Sequence, residues 1–148
     1  MTQNNEKKAW LLQKIVLPQN TDHAGVMWHG SYLSWLEEAR INALSQVGMS
    51  YKDISNEGFE LPVVDLQIRY ISPLIHGEQV LIKSWVSRGK GPRWKWETKF
   101  LRDSDKADAI ANIDLVLIKK TKLGKHQILR KAPHQIAKAL SDLQNGPL

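Results

Sequence analysis

Residues 10–17, WLLQKIVL, form an apolar-rich run that Pro18 closes, and they predict a strand. Turn-forming residues occupy 18–28, and the period then changes. From 30 to 47 the positions Tyr32/Leu33, Leu36, Ala39/Arg40, Ala43/Leu44 and Val47 recur three and four apart, which predicts a helix. Gly48 supplies its stop. Trp35 and Ile41 widen the apolar surface, so this helix should be covered on more than one side. Residues 49–58 suit a short helix or loop. Four strand-like segments follow. Residues 61–71 are rich in β-formers and end at Ser72-Pro73. In 79–87, Val80, Ile82, Ser84 and Val86 share one face. In 93–102, Arg93, Lys95, Glu97 and Lys99 lie opposite Trp94, Trp96, Thr98 and Phe100. The turn Asp103-Ser104-Asp105 precedes a long strand over 107–120, and 133–143 suit a short terminal helix.

This order, strand, long helix, then four consecutive antiparallel strands, predicts an α+β domain. A lone long helix that is apolar round much of its surface must be wrapped, and a curved five-stranded antiparallel sheet can wrap it. Such a sheet leaves open edges, so pairing between two chains is expected, at least to a dimer. No repeat, linker or low-complexity stretch divides the chain, and residues 1–148 are expected to form one domain.

Composition narrows the possibilities. The chain is 42% hydrophobic and 24% charged, ordinary for a globular protein and unlike a disordered one. No apolar run approaches the roughly 20 residues of a membrane span. The start, MTQNNEKKAW, lacks the apolar core of a secretory signal, and a cytoplasmic location is expected. With no cysteine, disulfides and thiolate chemistry are excluded. The net charge of +6 suits anionic partners, or simple solubility. His23, His29, His76, His126 and His134 show no metal-ligand spacing, so neither a metal nor another cofactor is expected.

Two stretches carry candidate chemistry. In NTDHAGVMWH, residues 20–29, Asp22 stands seven residues before a helix start, with Ala24 and Gly25 permitting a tight turn between them. Such an aspartate either caps a turn or presents a carboxylate to the unpaired N–H groups of the helix's first turn, here His29, Gly30 and Ser31. In SRGKGPRW, residues 87–94, Arg88, Lys90 and Arg93 form a cationic, glycine-bearing hairpin that suits phosphate groups or plain solvent. Trp94 and Trp96 beside these cations invite a nucleic-acid reading. Strand alternation turns them away from the charges, and no nucleic-acid-binding signature accompanies them, so core packing is expected. Neither a Gly-x-Ser-x-Gly elbow nor a Walker-type loop is present.

Thr21-Asp22, Gly25, Val26, Trp28-His29, Tyr32-Leu33 and Glu37-x-Ala39-Arg40 resemble the opening motif of the hotdog-fold acyl-CoA thioesterases. The likeness is fullest to the 4-hydroxybenzoyl-CoA thioesterase type and to the related family associated with the Tol-Pal system. Segment order matches from about residue 9 to 120, with Pro62, Pro73 and Pro92 in corresponding places. The resemblance implies a sheet wrapped round one central helix, dimers with a continuous sheet, often tetramers, and an active site at the subunit interface. It implies that Asp22 is nucleophile or general base, that the backbone N–H groups of His29 and Gly30 polarise the thioester carbonyl, and that Arg88, Lys90 and Arg93 meet the nucleotide end of coenzyme A. The His29 imidazole would contact the acyl group, orient Asp22 or pack at the helix start. Another hotdog branch carries its acid on the helix, which makes Glu37 the rival carboxylate. Otherwise Glu37 pairs with Arg40 three residues on. Hotdog hydratases use a different Asp/His spacing. The expected reaction is hydrolysis of an acyl-CoA, with an aromatic acyl group of hydroxybenzoyl or 1,4-dihydroxy-2-naphthoyl type favoured. Short aliphatic acyl-CoA, acyl-carrier-protein thioesters and non-catalytic binding of CoA esters stand as alternatives.

Overall fold

The computed structural model describes residues 7–148; residues 1–6, part of the N-terminal stretch considered above for a signal, lie outside the described residues. The first strand, β1 (Trp10–Ile15), leads through a 3-10 turn at Pro18–Asn20 into the central helix α1 (His29–Gln46). A short helix α2 (Tyr51–Asn56) and a two-residue strand β2 (Phe59–Glu60) come next. The remaining elements are β3 (Val63–Tyr70), β4 (Gln79–Arg88), β5 (Arg93–Leu101), β6 (Ala109–Lys120), β7 (His126–Leu129) and α3 (His134–Asn145).

The five expected strands form the main antiparallel sheet, with neighbours running β1-β4-β5-β6-β3. The expected five-stranded sheet is corrected to seven strands among the described residues, and the one long central helix is joined by two shorter helices, α2 within the 49–58 segment and α3 where a short terminal helix was expected. The two added strands both lie on the far end of β6, where β2 pairs with Ile118–Lys119 and β7 with 117–120. The predicted strand 61–71 is also broken. Pro62 has no N–H to give a ladder, and a register shift separates Val63 from Asp65.

The alternation over β4 and β5 places Val80, Ile82, Val86, Trp96 and Phe100 in the core against α1. The two polar residues on that face satisfy one another, Ser84 Oγ lying 3.0 Å from Thr98 Oγ1. From the helix, Trp35, Leu36, Ala43 and Leu44 are buried, each large side chain contributing about 1.5–3 kcal/mol. Helix α3 seats Ile136, Ala139, Leu140 and Leu143, spaced three and four apart, against β4 and α1. Trp10 Nε1 donates to the Leu143 carbonyl at 2.8 Å and ties its end to β1. Of the positions expected to widen the covered surface of α1, Trp35 is buried, but Ile41 stays exposed together with Leu33. Leu33 and Ile41 share a helical stripe with Glu37. The edge strand β3 is likewise exposed along Val63, Val64, Leu66 and Tyr70. No described helix is long and apolar enough to cross a membrane.

Candidate active site

The segment 21–27 folds back on itself, Thr21 bridging to Met27. Inside this turn the Asp22 N–H donates to the Val26 carbonyl (2.9 Å) and the Gly25 N–H to the Asp22 carbonyl (3.1 Å). Gly25 sits at φ +78°, a conformation that costs any residue with a Cβ. The Asp22 side chain completes the turn with one oxygen. Oδ1 accepts from the N–H groups of Ala24 (2.9 Å) and Val26 (3.2 Å). Oδ2 has no protein partner among the described residues. The turn-forming and the chemical readings of Asp22 are therefore compatible, each using a different oxygen.

The helix start is held separately. The Asn20 carbonyl accepts both the Trp28 N–H (2.8 Å) and Ser31 Oγ (2.9 Å). The Ser31 N–H turns back to the Trp28 carbonyl at 2.9 Å, so it is not free for a ligand. The N–H groups of His29 and Gly30 have no acceptor among the described residues, and they lie at the positive end of the helix dipole. The Trp28 indole lies over Gly30 so closely that an added Cβ would come within 2.2 Å of the ring. Tyr70 Oη donates to the His29 carbonyl at 3.2 Å, joining β3 to the same helix start.

These groups surround a cleft of about 370 Å³ whose lining includes Asp22, Met27, Trp28, His29, Tyr32 and Tyr70. Tyr32 makes edge-on contacts with Tyr70 (4.9 Å between ring centres) and with Phe100 (5.3 Å). Burial pushes the Tyr32 hydroxyl up to about 12, with nearby Tyr70 adding to the rise, so it stays protonated at neutral pH. The cleft is thus lined by the residue with the free carboxylate oxygen, by His29 with its free N–H and by an aromatic wall, and the free Gly30 N–H comes next along the helix start. An attacking oxygen and a donor pair for a developing oxyanion are what acyl transfer requires.

The other candidate residues fall elsewhere or act differently. The His29 ring packs on Trp28, 4.9 Å between centres, and makes no hydrogen bond to Asp22 among the described residues. Glu37 is exposed two turns down α1 and lines a different cleft, of about 570 Å³, with Arg40, Tyr51 and Val63. No Glu37–Arg40 ion pair forms within 4 Å; Arg40 is buried and donates from Nε to Tyr51 Oη at 2.6 Å. Arg88, Lys90 and Arg93 do share one cleft, at the β4–β5 hairpin. There Arg93 is engaged with Asp114 at 3.0 Å, and Arg88 stacks on Trp94 at 4.4 Å. Tyr70 was missed as a site residue. Its only signal is that Leu66, Ile68 and Tyr70 alternate onto the helix-facing side of β3.

Residues 16–141 match the family model of the thioesterase-like superfamily. A Synechocystis protein that carries the provisional name of an esterase is 34% identical over 130 residues, 87% of this chain and 76% of its own. A 1,4-dihydroxy-2-naphthoyl-CoA hydrolase of Thermosynechococcus vestitus is 34% identical over 71 residues, about half of each chain. Among solved structures, a 1,4-dihydroxy-2-naphthoyl-CoA thioesterase from Synechocystis superposes with a TM-score of 0.78 at 25% identity, covering 91% of this chain and 97% of its own. A DHNA-CoA thioesterase from Staphylococcus aureus gives 0.77 at 26%, covering 90% and 89%. The chain therefore belongs to the thioesterase-like superfamily and is a thioester hydrolase of hotdog fold.

Proposed function

We propose that the protein hydrolyses an acyl-CoA to the free acid and coenzyme A in the Asp22 cleft. The observation that carries this reading is that Asp22 Oδ2 and the His29 and Gly30 N–H groups are left without a protein partner among the described residues. Oδ2 takes a proton from the attacking water, or itself attacks the thioester carbon. The two N–H groups hold the carbonyl oxygen as it becomes an oxyanion, and the C–S bond breaks. In the water route the thiolate takes back the proton that Oδ2 removed from water; in the direct route it takes a proton from solvent, and a water then hydrolyses the acyl–Asp22 anhydride to the free acid and restores the carboxylate. The His29 side chain contributes to the acyl wall rather than to proton transfer.

An aromatic acyl group is favoured. The wall of Trp28, Tyr32 and Tyr70 offers flat faces and edges to a ring, and three of the similar proteins above are named for a dihydroxynaphthoyl-CoA substrate. Arg88 and Lys90 are assigned to the phosphates of the nucleotide end, with Arg93 held in reserve by Asp114.

The working unit is a dimer formed through β3. Its outer edge is unpaired, and the exposed apolar residues of β3 and the Leu33–Ile41 stripe lie uncovered in one chain. Antiparallel pairing of β3 about a two-fold axis at its centre would bring the Tyr70 end of one strand to the Val63 end of the other. Tyr70 lines the Asp22 cleft and Val63 lines the Arg40 cleft, so the two would merge into one site at the interface. Further assembly of dimers into a tetramer is proposed on the resemblance alone.

Thiol release from benzoyl-, hydroxybenzoyl-, dihydroxynaphthoyl-, acetyl-, hexanoyl- and palmitoyl-CoA tests the reading. Release by wild type and not by Asp22→Asn, highest with the aromatic esters, is expected. Highest turnover with hexanoyl-CoA would replace the aromatic preference, and no release from any ester would point to a carrier-protein thioester or to a non-catalytic binder.

A further inference from the structure

The turn that carries Asp22 does not stand alone. Its outer side hangs from the segment 71–78 by two backbone bonds, Met27 N–H to the Leu74 carbonyl (2.7 Å) and His76 N–H to the Gly25 carbonyl (3.0 Å). Val26 and Ile75 form an isolated bridge between them. The segment 71–78 has no strand or helix of its own and needs an anchor at each end. At one end the Ile71 and Ser72 N–H groups both donate to the Asp108 carbonyl (2.9 Å each). At the other, the Val16 N–H donates to the Glu78 carbonyl (2.9 Å) and the Gly77 N–H to the Val16 carbonyl (2.8 Å), while inside the segment Glu78 Oε1 accepts from the Ile75 N–H at 2.6 Å.

One side chain joins the residues at the two ends. The Arg102 guanidinium donates from Nη1 to Glu78 Oε2 and from Nη2 to Asp108 Oδ1, each at 3.0 Å, while the Arg102 N–H donates to Asp108 Oδ2, also at 3.0 Å. The fork geometry of a guanidinium suits this double engagement, and the single ammonium of a lysine cannot reproduce it. All three side chains are largely shielded, Asp108 most of all, with 11% of its side chain exposed. Shielding makes the bridge worth more than a surface pair. Arg102 does not line the Asp22 cleft.

We propose that Arg102 is a positioning residue for catalysis: by clamping Glu78 and Asp108 it fixes the segment 71–78, and through it the Asp22 turn against the helix start. The chain of contacts is Arg102 to the carboxylates, the carboxylate-bearing residues to the 71–78 backbone, and that backbone to Gly25 and Met27. Loosening the clamp lets Oδ2 drift relative to the His29 and Gly30 donors without removing any reacting group. This rests on the assignment of Asp22 as the reacting carboxylate.

The test uses the intact protein and two variants, Arg102→Lys and Arg102→Gln, assayed well below their melting temperatures with kcat expressed per folded molecule. The expected result is a kcat lowered about ten- to a hundredfold, the range of a displacement near 1 Å, with KM changed less than about twofold. Hydrogen exchange supplies a readout that does not depend on activity. The Val26, Met27 and His76 amides should exchange faster in both variants, while those in the β5–β6 ladder remain as slow as in wild type. If Arg102→Gln fails to fold, Glu78→Gln keeps the acceptor for Ile75 and removes the charge Arg102 binds, and the same exchange pattern is expected of it. A lowered melting temperature with unchanged kcat and unchanged exchange at 22–28 would overturn the proposal and leave Arg102 a fold-stabilising group. Faster exchange at the turn with full activity in Asp22→Asn would instead overturn the Asp22 assignment and leave the clamp standing.

Discussion

The Asp22 turn and the Arg88–Arg93 hairpin are both glycine-bearing turns with charged side chains, and both stand out in the sequence. They differ in what remains after the protein has satisfied itself. At the Asp22 turn the backbone bonds consume one carboxylate oxygen and the Ser31 N–H, leaving one oxygen and two N–H groups without a partner among the described residues, beside an aromatic cleft. At the hairpin the cations are mostly occupied by the protein. Arg93 pairs with Asp114, while Arg88 stacks on Trp94 and donates to the Gly91 and Arg130 carbonyls, leaving Lys90 as the freest cation. A reacting site is marked by a few specific unsatisfied groups held rigidly in a pocket; a cluster of charge on a loop supplies attraction without that precision.

That contrast is broken most directly at Asp22. Asp22→Asn keeps an oxygen for Ala24 and Val26, so the turn should persist while kcat falls about 10²- to 10⁴-fold, measured by thiol release beside an unchanged circular dichroism spectrum. A smaller effect is expected from Gly30→Ala. The new methyl displaces the Trp28 indole, which is exposed enough to move, so the fold is retained and kcat falls about tenfold. A shift in tryptophan fluorescence should accompany it, and an unshifted spectrum with full activity would remove Trp28 from the acyl wall. Lys90→Ala should be milder, raising KM for the CoA ester about two- to fivefold at low salt, with the difference fading at high salt and kcat unaltered. A salt-independent loss of kcat there would place the hairpin in the chemistry after all.

The smallest effect lies outside neutral pH. The folded-state Tyr32 hydroxyl is raised to about 12 from an ordinary 10.0. Below pH 10 both folded and unfolded chains hold the proton, and stability is complete. Between pH 10 and 12 the unfolded chain ionises while the folded one cannot, so stability declines as pH rises. Tyr51, also raised by burial, pushes in the same direction. Tyr32→Phe should flatten part of the fall in melting temperature above pH 10, and an unchanged slope would assign the alkaline loss to other groups.

Much of the fold was legible because alternation and helical period are local. Val80, Ile82, Ser84 and Val86 share a face by geometry alone, and all four are buried. The short strands were not legible for the same reason. β2 has only two residues, and β7 shows three exposed residues in four, so neither has an apolar rhythm; each exists because the end of β6 offers it a partner. At the site, Asp22 and the helix start could be named from turn chemistry and resemblance, but Tyr70 could not, being one β-former among several until β3 delivers its hydroxyl to the His29 carbonyl.

By itself the sequence determined the long helix, the five main strands, the core faces and the motif that places an acid seven residues before a helix, since each follows from spacing along a chain of fixed geometry. Only the tertiary structure decided that Asp22 spends one oxygen on its turn and keeps the other, that Arg40 is bonded to Tyr51 rather than to Glu37, and that Glu37 lies in a separate cleft. It alone decided that Arg102 links Glu78 to Asp108. Those outcomes depend on which groups meet across the fold, and a side chain's partner is settled by three-dimensional proximity and competition for hydrogen bonds, neither of which is encoded in local period.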